Sequence, residues 1–224
     1  MAEKKQVKES KEKNEVSEFS FSNDAMSSFD DNKVKYQLIL KENEARKLAA
    51  RLLESNLFVF YTETDGLNTF EVKIAGASFC IKPDEAYFVA INPFDDEPGL
   101  FENKLTDRLP ISTFIKIFKK VFENNEIKKV CQNGKYDIAV LRSIGIEVNN
   151  FYFDTMLASY ILDPDQKHGM DDLSEKYLNY SPIPISTLIG EKKDPTKIFD
   201  VEANVLSTYA AEDADVTYKL YETL

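Results

Sequence analysis

The segment Leu57–Leu67, LFVFYTETDGL, runs from β-prone residues into acids and a glycine turn. Leu57–Tyr61 has the composition of a buried strand. Residues two apart in a strand share a face, so Val59, Tyr61 and Glu63 point the same way, with Glu63 at the strand's end just before Gly66. The carboxyl edge of an α/β strand is a frequent place for a functional carboxylate. A carboxylate that merely opens a turn and faces water fits the same letters.

Around this segment the pattern alternates. Upstream, Tyr36–Leu40 reads as a short strand and Glu42–Glu54 as an amphipathic helix, apolar at Ala45, Leu48, Ala49, Leu52 and Leu53. Downstream, Phe70–Ile81 and Ala86–Ile91 read as strands joined by a turn at Lys82–Glu85, which makes a meander. A loop at Asn92–Asp107 leads to a helix at Ile111–Phe122 and a strand at Lys128–Cys131. A helix at Lys135–Ser143 then closes at Gly145. Helices follow at Asp154–Leu162 and Asp171–Tyr177, then a loop-rich stretch from Tyr180 to Thr196. The last helix is long, Val201 to about Tyr221, with Asp200 placed to cap it. A meander followed by alternating helices and strands implies an α/β fold, a mixed sheet of about five strands flanked by helices.

The chain has 224 residues, enough for one principal domain with its own core. Residues 1–33 hold six lysines against eight acids with little apolar material and read as a disordered tail or interdomain linker, leaving 34–224 as the domain. No apolar run is long enough for a transmembrane helix, and the amino-terminal stretch lacks the core of a signal peptide. The two cysteines, Cys80 and Cys131, suit a reducing interior and read as small core hydrophobes. The missing export signals, together with the resemblance given below, set the expectation of a cytoplasmic protein, and a monomer is expected. With 28 basic against 39 acidic residues the formal charge is −11, which argues against a broad nucleic-acid platform but not against a small cation-holding pocket. GxGxxG, GxxxxGK[ST] and GxSxG are all absent.

The informative residues are acids where the pattern asks for apolar side chains. On the last helix, Val205, Tyr209, Asp213, Val216 and Leu220 follow helical spacing, which puts Asp213 within or at the edge of the buried stripe, one turn after Tyr209. A lone ionised carboxylate there costs several kcal/mol unless it is paired or bound to a cation. Asp137, in the segment CQNGKYD (Cys131–Asp137), opens a helix, where the helix dipole alone would favour it. Asn133 is placed either to cap that helix or to touch a ligand. Three acids on three elements suit hard divalent cations, which in pairs about 4 Å apart can activate water at a phosphodiester. His168, the single histidine, reads as a solvent-facing loop residue.

Four stretches then carry a resemblance: Phe60–Leu67 (FYTETDGL), Gln132–Asp137 (QNGKYD), Phe153–Pro164 (FDTMLASYILDP) and Tyr209–Leu220 (YAAEDADVTYKL). From about Tyr36 to its end the chain resembles the 3′–5′ proofreading exonuclease domain of bacterial family A DNA polymerases. Ribonuclease D and RecQ-associated exonucleases look similar, but the wording of Phe153–Pro164 favours the polymerase family. The resemblance implies a ribonuclease-H-like sheet that binds two Mg²⁺ or Mn²⁺ ions and a frayed single-stranded DNA 3′ end, with a polymerase domain in the same full-length chain. It implies that Glu63 and Asp213 hold the ion carrying the attacking water, that Asp137 serves the second ion, and that Tyr209 orients the water. Leu67, Gln132 and Asn133 fall where the family touches the terminal nucleotides.

One position departs from the family. Its pattern is Asp-x-Glu, and here the segment reads Tyr61-Thr62-Glu63. The missing aspartate is the one that bridges both ions. A phenol with a reference pKa near 10 is a poor substitute for a hard anionic ligand. The departure implies that two-metal phosphodiester hydrolysis is weak or absent in this chain. Two other readings stand beside it: a non-catalytic structural or single-strand-binding module of a polymerase, and an RNase D-type ribonuclease.

Overall fold

The computed structural model describes residues 26–95 and 105–224. The proposed linker lies outside the described residues up to position 25, as does the core of the Asn92–Asp107 loop. In chain order the elements are β1 (Ser27–Ser28), β2 (Lys35–Ile39), α1 (Glu42–Glu54), β3 (Leu57–Thr64), β4 (Ile74–Lys82), β5 (Glu85–Asn92), β6 (Leu109–Pro110), α2 (Ile111–Phe122), β7 (Lys128–Cys131) and α3 (Gly134–Ser143). There follow β8 (Phe151–Asp154), α4 (Thr155–Leu162), α5 (Met170–Leu178), β9 (Tyr180–Ser181), α6 (Ser186–Ile189), a 3₁₀ turn (Pro195–Asp200) and α7 (Ala203–Thr223).

The principal sheet runs in the order β2-β5-β4-β3-β7-β8, with β6 attached to the end of β5. The meander is present: β3 pairs antiparallel with β4 and β4 with β5, while β3 to β7 and β7 to β8 are parallel. This is the mixed α/β sheet of a ribonuclease-H-like fold, two strands larger than expected because Phe151–Asp154 and Leu109–Pro110 are too short to announce themselves. Antiparallel and parallel neighbours together bring the carboxyl ends of β3, β5, β7 and β8 and the start of β4 to a single edge.

Each face has its own core. On one side the aromatic rings of Phe58, Phe60, Phe79, Phe114, Phe118 and Phe122 pack between the sheet, α1 and α2. Phe79 and Phe118 stack at 5.2 Å, and Phe60 meets Phe122 edge-on at 5.1 Å. Such pairs add about 0.5–1.5 kcal/mol beyond the area they bury. The apolar spacing of α1 is realised, with Ala45, Leu48, Ala49 and Leu52 all buried. On the other side α7 crosses the sheet over Val59, Cys80, Ala86, Phe88 and Val130. Helix α5 covers its outer surface through Leu173 against Val216 and Leu220.

That second cover overturns one sequence reading. A single buried stripe does not describe α7, because every residue from Ala210 to Thr217 is buried. Glu212 is fully buried and accepts from the Tyr180 hydroxyl at 2.5 Å and the Ile183 amide at 2.8 Å. Asp215 accepts from the Tyr36 hydroxyl and the Asp84 amide, each at 2.8 Å, and from Lys219 at 2.9 Å. Other corrections are local. Asp200 ends the 3₁₀ turn and α7 starts later, with Glu202 at the N-cap. The strand expected from Phe70 begins at Ile74. The loop-rich stretch holds β9 and α6. Asn133 precedes α3 in a left-handed conformation with no side-chain cap; the carboxylate of Asp154 instead accepts the Asn133 and Gly134 amides at 3.1 and 2.9 Å.

Gly76, opposite Glu63 across the β3–β4 ladder, is required by close approach. A Cβ there would stand 2.1 Å from the Phe88 ring and 2.8 Å from the Val89 carbonyl oxygen. Gly76→Ala is therefore expected to destabilise the domain by about 1–3 kcal/mol, the usual cost of overpacking. Chemical denaturation of the two proteins measures it; an unchanged midpoint would contradict the packing described.

Candidate active site

Strand β3 divides its side chains as its letters require. Phe58, Phe60 and Thr62 face α1–α3, and Val59, Tyr61 and Glu63 face α7. Thr62 is committed to Asp137 on α3: its amide and its hydroxyl each donate to the same carboxylate oxygen at 2.7 Å. Asp137 is buried, and burial pushes its pKa up to about 7 although the Thr62 bonds oppose the rise. Glu63 is partly buried and is also pushed up to about 7, first by burial and then by the charge of Asp137. Asp213, buried on α7, is raised well above the carboxylate range by burial and then by the charge of Glu63, against the hydroxyl of Tyr209 one turn earlier. Of the three carboxyls expected from the sequence, Glu63 therefore lies close enough to both Asp137 and Asp213 to be coupled to each by charge, with Tyr209 beside Glu63 and Asp213.

Tyr61 stands among these acids. Its hydroxyl is 2.7 Å from the Thr217 hydroxyl and 3.8 Å from the Met170 sulfur. Burial and the charges of Asp213 and Asp137 raise its pKa well above that of a free phenol, so the ring stays neutral. Asp65, four residues further on, is not available to replace it. Its carboxylate accepts the Lys73 amide at 2.7 Å in the following loop.

These residues do not fit a pair of divalent ions. Tyr61 offers a neutral hydroxyl already engaged with Thr217, and one Asp137 oxygen is held by two donors from Thr62. One oxygen of Asp213 is buried with no partner, the single orphaned acceptor in the cluster. Among the described residues no group of three or more His, Cys, Asp or Glu side chains is arranged to hold a metal ion.

Of the remaining candidates, Leu67 is 84% exposed on the loop after β3. Asn133 is exposed at the head of α3. Gln132 is buried with its amide engaged at both ends, donating to the His168 carbonyl at 2.8 Å and accepting from the Thr155 hydroxyl. His168 is not a solvent-facing loop residue: it is half-buried, with Nδ1 2.9 Å from the Ser159 hydroxyl and its ring edge-on to Tyr160. Cys80 and Cys131 are free and buried, as expected. Sequence reasoning did not find Thr62, Asp154, Thr217 or Met170. Thr217 was findable, since it lies one turn after Asp213 on the same helix. Met170 reaches the site only through tertiary packing.

Raised carboxyl pKa values have a definite sign. The folded protein holds protons at Glu63 and Asp137 up to about pH 7, whereas the unfolded chain releases them near 4.5 and 3.8. The folded state binds more protons in that window, so stability falls as pH rises through it. In metal-free buffer the melting temperature is expected to drop by several degrees between pH 5 and pH 8. Glu63→Gln should flatten the profile, and a wild-type melting temperature that rises over this range would contradict the arrangement.

Comparison with known proteins bears on the fold and the edge just described. Residues 36–224 match the family model described as 3′–5′ exonuclease. DNA polymerase I of Rhizobium leguminosarum is 35% identical over 181 residues, 76% of this chain and 18% of that protein. DNA polymerase I of Borreliella burgdorferi is 30% identical over 198 residues, 88% of this chain and 20% of that protein. The chain thus spans about a fifth of the length of these relatives. In fold alone it is similar to Trypanosoma brucei RNase D in complex with RNA U12, with a TM-score of 0.63 at 13% identity, covering 85% of this chain and 63% of that one. It is likewise similar to Brucella melitensis NrnC with bound Mg²⁺, with a TM-score of 0.55 at 16% identity, covering 85% and 79%. No helix among the described residues is long and apolar enough to cross a membrane. The sheet, its acid-lined edge and the match over most of its length make this chain a member of the 3′–5′ exonuclease family.

Proposed function

We propose that this domain is the exonuclease module of a DNA polymerase I-like chain, that its sheet edge receives a single-stranded DNA 3′ end, and that its hydrolytic activity is very low or absent. Relatives at 30–35% identity favour a polymerase setting over an RNase D one, to which the likeness is of fold only. The carrying observation is Tyr61, a neutral phenol hydrogen-bonded to Thr217 among Glu63, Asp137 and Asp213. The family pattern places its bridging aspartate at this position.

Family membership carries an expectation of divalent-metal dependence, and this side-chain set departs from it. Phosphoryl transfer depends on positioning and on a field set up in advance. Here Thr62 still fixes Asp137 and Tyr209 still faces Asp213. The anionic ligand between them is missing. In this reading the residues orient and hold the strand end, with Leu67 and Asn133 exposed toward it, but do not cleave it.

A 3′-labelled single strand incubated with Mg²⁺ or Mn²⁺ tests the reading. Wild-type protein is expected to leave it intact on a timescale where Tyr61→Asp degrades it, with a rate difference of at least a hundred-fold. Brisk degradation by the wild type that Asp213→Asn abolishes would overturn it. Binding of structured RNA 3′ ends in preference to DNA would favour the ribonuclease alternative.

A further inference from the structure

Among the described residues the two most exposed large apolar side chains are Phe70, at 90%, and Leu67, at 84%, and both lie on the loop between β3 and β4. Leaving a phenylalanine in water forgoes the stabilisation its burial would bring, and this loop is built to keep it there. The Asp65 amide donates to the Lys73 carbonyl at 3.2 Å, and the Lys73 amide donates to the Asp65 carboxylate at 2.7 Å, which pins the two feet together. The Asn68 carbonyl accepts the amides of Glu71 and Val72, and its side-chain oxygen accepts that of Phe70 at 3.3 Å. The Tyr136 hydroxyl, next to Asp137 on α3, donates to the Gly66 carbonyl at 2.6 Å. The loop is therefore braced against the helix that carries part of the acid cluster.

At the loop's second foot the Lys73 ammonium lies 5.4 Å from the ring centroid of Phe94, which is itself 48% exposed and follows β5 at the same sheet edge. Exposed aromatic faces beside a cation are the composition of surfaces that take single-stranded nucleic acid, where bases stack and the cation meets phosphate. Lys73 stands against Asp65 and Glu71 in the same loop, so stacking rather than charge has to supply most of the affinity.

We propose that the Asp65–Lys73 loop is a stacking platform for an unpaired strand, with Phe70 taking a base against its ring and Lys73 meeting the adjoining phosphate. The proposal rests on the strand-binding reading above and adds to it the residues that do the gripping.

The chain contains no tryptophan, so Phe70→Trp introduces a single indole reporter at the loop. It would be titrated with a short oligothymidylate in EDTA, with binding followed independently by anisotropy of a labelled strand. Saturable quenching of the indole is expected on the same curve as the anisotropy. Phe70→Ala should bind about ten-fold or more weakly. Lys73→Gln should make the dependence of binding on salt shallower by about 0.7 in the log–log slope. Anisotropy showing binding without quenching, with Phe70→Ala unimpaired, would overturn this proposal and leave strand binding standing. No binding by wild type or variant would overturn both. An indole signal that depends on protein concentration and ignores DNA would reassign the loop to contact between copies.

Discussion

Helix α7 must bury acids, and the rest of the molecule is arranged around that requirement. Between Ala210 and Thr217 the helix is enclosed by the sheet on one side and α5 on the other, and three of those residues are carboxylic acids. An uncompensated buried carboxylate costs several kcal/mol. Glu212 is satisfied by Tyr180 and Ile183, and Asp215 by Tyr36, Asp84 and Lys219. These bonds also fasten α7 to β2, to the β4–β5 turn and to β9. Asp213 alone keeps an oxygen without a partner, and it is the one that faces Glu63. The same helix thus carries two acids whose partners fasten the fold and one left over with an unpartnered oxygen.

What the leftover carboxylate can do is decided from the facing strand. β3 presents Glu63 and Tyr61 on the face toward α7 and Thr62 toward α3, so one strand sets the environment of both Asp213 and Asp137. An acid at the position of Tyr61 would add a fourth carboxyl to a cluster whose members already hold their protons to unusually high pH, and a bound cation would favour the ionised forms. The phenol does the opposite: it fills the space and bonds to Thr217 without adding a charge to the cluster.

Much of this was legible in the letters. The amphipathic period of α1, the glycine after α3 and the β-prone run at Leu57–Tyr61 each have a local cause, and each element stands within a few residues of its expected place. The acids at Glu63, Asp137 and Asp213 stood out because they interrupt or end apolar patterns. The burial of Glu212 and Asp215 was not legible, since a helix covered on both sides shows no polar face and the partners that enclose these acids, Tyr180, Ile183, Tyr36 and Asp84, lie 29 or more residues away. Nor was the role of Asp154 in holding the head of α3, because its partners lie 20 or more residues away. His168 failed for the same reason: a polar loop sequence does not say that the loop folds back onto Ser159 and Tyr160.

In the function proposed above, Tyr61 removes the capacity of this edge to hold paired cations. Counting bound Mn²⁺ by electron paramagnetic resonance, on chelator-stripped wild type and on Tyr61→Asp, addresses it without reference to turnover. No saturable site tighter than millimolar is expected in the wild type, and two in the variant. Two micromolar Mn²⁺ sites in the wild type, lost on Asp213→Asn, would contradict it.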